Sequence, residues 1–219
     1  MMHHKSESPQ LCPYGDCSAE LIPSNAATNF RNPVIAVKAA VDRGLIDSGQ
    51  TVLEFGAGNL RNALFILRSM NNVDVFAYDL PKTVRRFPEK YEKFSKLGGI
   101  IVDSELEMRA YDVVVSAYVL ETICPETARK TILKSINNSL KFRGLLIASF
   151  RGYPGVKGSQ YKKCPMGEGL ISPHKTFVKP YSLTEVQKLL TSCNFSGISF
   201  LKNYRVEKPQ NIQAIALRE

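Results

Sequence analysis

Residues 52–58, Val-Leu-Glu-Phe-Gly-Ala-Gly, combine a short apolar run, an acid within it and two glycines one residue apart. Glycines let the chain turn sharply and leave no side chain between a ligand and the main chain. Glu54 sets this turn apart, because a phosphate-binding loop would not place a carboxylate beside its ligand. A cationic or hydroxyl-bearing ligand suits it better. Later apolar runs end in further polar candidates: Asp79, Asp103, and Ser116-Ala117-Tyr118. Asp79 lies about 20 residues beyond the second glycine, a distance at which an acid can accept from ribose hydroxyls. Asp103, ending a later apolar run, could face an adenine amino group. A dinucleotide fingerprint needs a third glycine to receive pyrophosphate at the helix start. Here that position is Arg61, and the lysine of a phosphate-binding loop is also missing.

The elements that must hold these residues follow from periodicity. Pro33 opens a helix with Val34, Val37 and Val41 on one face and Gly44 at its C-terminal cap. Val52–Phe55 reads as a strand. A helix starting near Asn59 follows, with Leu60, Ala63, Leu64 and Leu67 at helical spacing. Val73–Tyr78, Gly99–Val102, Tyr111–Ser116 and Leu145–Phe150 read as further strands. Between them lie a charged, partly helical segment (82–96) and a helix opened by Pro125. That helix carries Ile132, Leu133, Ile136 and Leu140 and ends at Gly144. Ser182 and Glu185 form a capping box for a last helix reaching about Cys193. Phe195–Tyr204 and Ile212–Leu217 close the chain as strands, separated by a turn at 208–211. This alternation predicts an α/β fold, doubly wound around a mainly parallel sheet with helices on both faces.

With 219 residues, 44% hydrophobic and 22% charged, the chain suits one sizeable core with little left over. Residues 1–24 read as an N-terminal extension and 25–219 as one domain. Residues 24–31 could lie over the site as a lid. No apolar run approaches the roughly 18–20 residues that cross a bilayer, and Met1–Gln10 has no signal-peptide core, so the expected location is cytoplasmic with no membrane partner. Cys12 and Cys17 are spaced like half of a zinc site, but no second pair follows, and no metal is expected. A balance of 29 basic to 20 acidic residues, +9 overall, favours polyanionic partners without requiring one.

The ordered set resembles the class I S-adenosylmethionine-dependent methyltransferases. Val52–Gly58 is similar to their first motif, Asp79 to the acid ending their second strand, and Tyr111–Ile123 to their fourth-strand motif. Leu140–Gly144 is similar to the Leu-Lys-Pro-Gly-Gly turn before strand five, with two departures. The resemblance implies a Rossmann-like, seven-stranded sheet with an antiparallel last strand. It also implies S-adenosylmethionine as cofactor and S-adenosylhomocysteine as product. The implied cofactor residues are Glu54, Gly56, Ala57, Gly58, Asp79, Leu80, Asp103, Ser104, Ser116 and Ala117. Gly56 and Gly58 would admit the methionine part, Asp79 hold the ribose, and Asp103 with Ser104 flank the adenine. Glu54 would orient the turn or the cofactor's amino group.

The acceptor is not named by any motif. Residues 151–180 form the expected specificity loop, with Arg151, Lys157, Lys162, Lys163, Lys175 and Lys179 against Glu168 alone. Interleaved Tyr153, Tyr161, His174 and Phe177 would let it grip phosphates and stack a base. A nucleic-acid methyltransferase is therefore one alternative to a small-molecule enzyme, and a non-catalytic cofactor-binding module is another. The Asp/Asn-Pro-Pro-aromatic tetrad of exocyclic-amine enzymes is replaced here by Ser116-Ala117-Tyr118-Val119. The chemistry does not demand a general base. If one acts, His174, Tyr118 and Glu121 are the candidates.

Overall fold

The structure, a computed structural model, describes residues 31–102, 110–156, 158, 160–164, 168–201 and 210–219. The N-terminal extension, residues 24–30 of the lid candidate, Asp103 and Ser104, and the first half of the turn at 208–211 lie outside the described residues.

Helix α1 (Ile35–Asp42) leads into β1 (Thr51–Phe55), α2 (Arg61–Ser69) and β2 (Asp74–Tyr78). Two short helices, α3 (Pro81–Val84) and α4 (Pro88–Lys96), precede β3 (Ile100–Ile101). Then come β4 (Tyr111–Ala117), α5 (Glu126–Ser139) and β5 (Leu140–Arg151). Three two-residue strands follow: β6 (Lys162–Lys163), β7 (Leu170–Ile171) and β8 (Phe177–Val178). The chain closes with α6 (Leu183–Thr191), β9 (Phe195–Phe200) and β10 (Asn211–Arg218).

Seven strands form one sheet in the order β3-β2-β1-β4-β5-β10-β9. β1, β2, β3, β4 and β5 pair in parallel, whereas β10 runs antiparallel to both β5 and β9. This is the expected doubly wound, Rossmann-like sheet with an antiparallel last strand. The central strands are buried on both faces, which explains their near-continuous apolar runs. Alternation along β4 shows the division: Val113 and Val115 pack with α1, α2 and α4, while Tyr111 and Val114 face the core containing α5 and α6. The sheet order reverses between β1 and β4, so the carboxyl ends of these strands flank the crevice where such folds bind ligands.

Several boundaries differ from the sequence-based expectation. Helix α5 stops at Ser139 and not at Gly144, because Leu140 pairs with Tyr111 and Arg143 takes a left-handed conformation (φ 61°) on the way into β5. Asn137, Asn138 and Ser139 are weak helix formers that make this early stop cheap. Helix α2 starts at Arg61, two residues later than expected. Its buried positions are Asn62, Ala63 and Ile66, with Leu64 and Leu67 only half-buried. The segment after β5 is also more ordered than its irregular pattern suggests, with β6, β7 and β8 forming a small antiparallel sheet.

Candidate active site

Strand alternation points Glu54 out of β1 toward α2, where its side chain is 2% exposed. Asn62 Nδ2 donates to Glu54 Oε1 at 2.6 Å, and the Ala63 N–H donates to Oε2 at 2.7 Å. The carboxylate thereby takes up an N–H of the first turn of α2, a favourable place for negative charge. The Val34 N–H in turn donates to Asn62 Oδ1 at 2.9 Å, so one buried chain of bonds links α1, α2 and β1. Burial pushes the Glu54 carboxyl up to about 7, against the pull of Asn62 and Ala63.

The glycine turn is held mainly by the end of β2. The N–H groups of Gly56 and Ala57 both donate to Tyr78 O at 2.9 Å. The Gly58 N–H donates to Asp79 Oδ2 at 2.5 Å, and Asp79 Oδ1 accepts from Leu80 N–H at 2.7 Å. Burial raises the Asp79 carboxyl, opposed by these bonds and one from Thr83. Tyr91, from α4, donates its hydroxyl to Gly58 O at 3.1 Å. Gly56 is glycine for two reasons: its φ is 72°, and a Cβ there would lie 2.4 Å from Val119 Cγ2. Leu60, the residue before α2, is buried and also left-handed (φ 62°), so the turn's geometry is imposed even on a leucine.

The end of β4 faces this turn. Ser116 is fully buried, and its hydroxyl has no hydrogen-bond partner among the described residues. Tyr118 is held at φ 61°, with its N–H on Ser149 O at 2.9 Å. Gln213 on β10 hydrogen-bonds the Tyr118 hydroxyl, and the Arg61 guanidinium lies 6.0 Å from the ring centroid. Glu121 follows in a 3₁₀ turn (Leu120–Thr122) and is fully buried. Its nearest cation is Arg151 at the end of β5, with Nε 3.6 Å from Oε1. Burial lifts the Glu121 carboxyl to about 8, although Arg151 opposes the shift.

Thus Glu54, Gly56, Ala57, Gly58, Asp79, Leu80, Ser116, Ala117, Tyr118 and Glu121 all gather at the carboxyl ends of β1, β2 and β4. His174 does not share that position in the fold. It is exposed at the tip of the β7–β8 hairpin, in a turn closed by Ser172 and Thr176. The basic segment is also less available than its composition implies. Lys179 is paired with Glu185 at 2.7 Å and lies over the rings of Tyr153 and Tyr181, while Arg151 faces Glu121. Asn62, Tyr91, Val119 and Gln213 were not singled out from sequence. A polar Asn62 among the inward positions of α2 was the one legible signal.

Known structures share this fold. The S-adenosylmethionine-dependent methyltransferase of Aquifex aeolicus superposes with a TM-score of 0.61 at 17% identity, over 91% of this chain and 100% of its own. The CcbJ methyltransferase of Streptomyces caelestis gives 0.64 at 12% identity, over 84% and 90%. The fold is that of the class I methyltransferases. Burkholderia thailandensis 1,6-didemethyltoxoflavin-N1-methyltransferase, solved with 1,6-didemethyltoxoflavin and S-adenosylhomocysteine, gives 0.62 at 18% identity, over 84% and 78%. The chain spans 65% and 55% of the length of two other matched structures. No protein-family model and no curated protein sequence matches it. Among the described residues of this methyltransferase fold, no helix is long and apolar enough to cross a membrane, and no group of three or more His, Cys, Asp or Glu could hold a metal.

Proposed function

We propose that the protein is an S-adenosylmethionine-dependent methyltransferase acting on an acceptor other than a dedicated nucleic-acid target. The observation that carries this reading is the state of the glycine turn. The N–H groups of Gly56, Ala57 and Gly58 are all engaged by the end of β2, so they form no cradle for pyrophosphate. The turn instead presents close-approach backbone beside an acid. Each Asp79 oxygen has two lone-pair directions, so after its bonds to Gly58 and Leu80 the carboxylate keeps capacity for ribose hydroxyls. Glu54 secures the turn from behind through α2. Gly56, Ala57 and Gly58 would line the methionine part of the cofactor, Leu80 would lie beside the ribose, and Ser116 and Ala117 would form the floor. Asp103 and Ser104 keep the adenine role that the family resemblance gives them.

When bound, S-adenosylmethionine supplies a sulfonium-borne methyl group that transfers by in-line displacement. The residues at the ends of β4 and β5 then have to align an acceptor atom and exclude water, a contribution of positioning. The basic segment supports the nucleic-acid alternative less well, because Lys179 is paired with Glu185 and His174 stands on a separate hairpin tip. Calorimetry of the full chain with S-adenosylhomocysteine tests the proposal. Saturable one-to-one binding is expected, and no heat at millimolar ligand would refute it. Binding of a dinucleotide in its place would also refute it.

A further inference from the structure

Beside the glycine turn, three charged side chains meet without completing one another's bonds. Glu121 is 0% exposed, yet neither carboxylate oxygen has a well-formed hydrogen bond among the described residues. Arg151 Nε stands 3.6 Å away, outside hydrogen-bond range, and the Arg151 side chain remains 35% exposed. An arginine matched to a carboxylate normally closes a two-bond fork, so this contact is an incomplete one. Arg61, half-buried on the other side of Tyr118, lies within electrostatic reach of Arg151, so the two cations work against each other. Glu54 attracts Arg61, while both Glu54 oxygens are bonded to Asn62 and Ala63. Arg151, Arg61 and the Tyr118 phenol thus stand together at the mouth of the crevice that the strand order defines, close to the end of β4.

We infer that this mouth selects an acceptor bearing a carboxylate or phosphate group, with Arg151 as the residue that binds it. The inference rests on the methyltransferase reading, because that reading makes the ends of β4 and β5 the acceptor side. Arg61 adds a second positive charge and Tyr118 an aromatic wall. Glu121 is a positioning residue: it holds Arg151 near the mouth while leaving the guanidinium's outer edge for an oxyanion. The groups facing Glu121 are Arg151, Tyr118 and Tyr181. The main-chain N–H of Lys179 caps the Glu121 carbonyl, and Arg129 acts electrostatically on Tyr181. When Glu121 ionises it competes with the bound anion for Arg151, so anion affinity falls at alkaline pH.

The test uses the full chain saturated with S-adenosylhomocysteine, titrated with benzoate, inorganic phosphate and neutral benzamide. At pH 7 at least one oxyanion should bind and benzamide should not. Arg151→Gln should weaken the oxyanion at least tenfold without changing S-adenosylhomocysteine affinity, and Arg151→Lys should fall between. Benzoate affinity should drop between pH 7 and pH 9 in the wild type and stay level in Glu121→Gln. If neither oxyanion binds, or if R151Q and R151K bind as the wild type does, the inference is wrong. S-Adenosylhomocysteine binding is read separately and the anion titrations are repeated without it. Failure of the cofactor reading would therefore show as lost S-adenosylhomocysteine binding alone.

Discussion

Gly56 and Asp79 set the geometry of the turn, and each can be removed on its own. Alanine at 56 must adopt φ 72° and must push Val119 aside, since its Cβ would start 2.4 Å from Val119 Cγ2. Strain of this type costs about 1–3 kcal/mol. Gly56→Ala should therefore lower the urea midpoint, and adding Val119→Ala should recover the steric part while leaving the backbone part. Asp79→Asn keeps an acceptor for Gly58 N–H but gives up a charged partner for ribose hydroxyls. Its S-adenosylhomocysteine affinity should fall about tenfold, or about 1.4 kcal/mol, with a smaller change in stability. Equal affinity in D79N would remove Asp79 from the cofactor site. Both residues were legible in sequence, because only glycine fits such a turn and an acid at that distance is a recognisable pattern. The contacts that fix them were not. Val119 reaches the turn from the segment after β4 and Tyr91 from α4, and no local spacing announces contacts that only the tertiary fold brings together.

At the scale of elements, the strands were the readable part and the stops were not. β4 announces itself with three consecutive valines, and α6 with a capping box in which Ser182 accepts from Glu185 N–H and Glu185 accepts from Ser182 N–H. The end of α5 was missed because Leu140 continues the helical apolar period yet is claimed by Tyr111 across the sheet. The small β6–β8 sheet was missed because each strand is two residues long and no period can register. It is held to the main domain by Glu168, which pairs with Arg129 and also accepts from the Glu126 N–H at the start of α5 (2.9 Å). Arg129 is 1% exposed, donates to Ile123 O and lies over the Phe177 ring. Glu168→Gln should therefore cost about 3 kcal/mol, as removing one member of a buried pair does. Arg129→Met, which removes the buried charge itself, should cost less. Both are read as shifts in denaturant midpoint. If E168Q unfolds with the wild-type midpoint, Glu168 does not anchor this sheet.

For the molecule as a whole, the buried carboxyls should govern how stability responds to pH. Burial raises Glu54 to about 7 and Glu121 to about 8, both well above the unfolded value of 4.5. A carboxyl raised in this way keeps its proton in the folded state after the unfolded chain has released it. Its favourable contribution is complete below the unfolded pKa and is lost as pH rises through the folded one. Asp112 and Glu185 act in the opposite sense. Their partial burial is outweighed by bonds from Lys141 and Thr51, and from Lys179 and Ser182, so their contribution is lost as pH falls below the ordinary carboxylate range. The two pairs together place maximum stability near pH 5, with a decline toward about pH 8 that the excess of basic side chains cannot explain, since those stay charged throughout. Melting temperatures taken from pH 4 to pH 9 at fixed ionic strength should show that peak. Glu54→Gln should roughly halve the slope between about pH 5 and pH 7, and Glu121→Gln should halve it over the same range and also remove its continuation to about pH 8, because each substitution removes one of the two protons in question. A wild-type profile that rises from pH 5 to pH 8 would mean that both carboxyls are ionised in the folded protein. In that case Arg151 would already be closed onto Glu121, and the mouth beside the glycine turn would have lost the arginine that binds the anion.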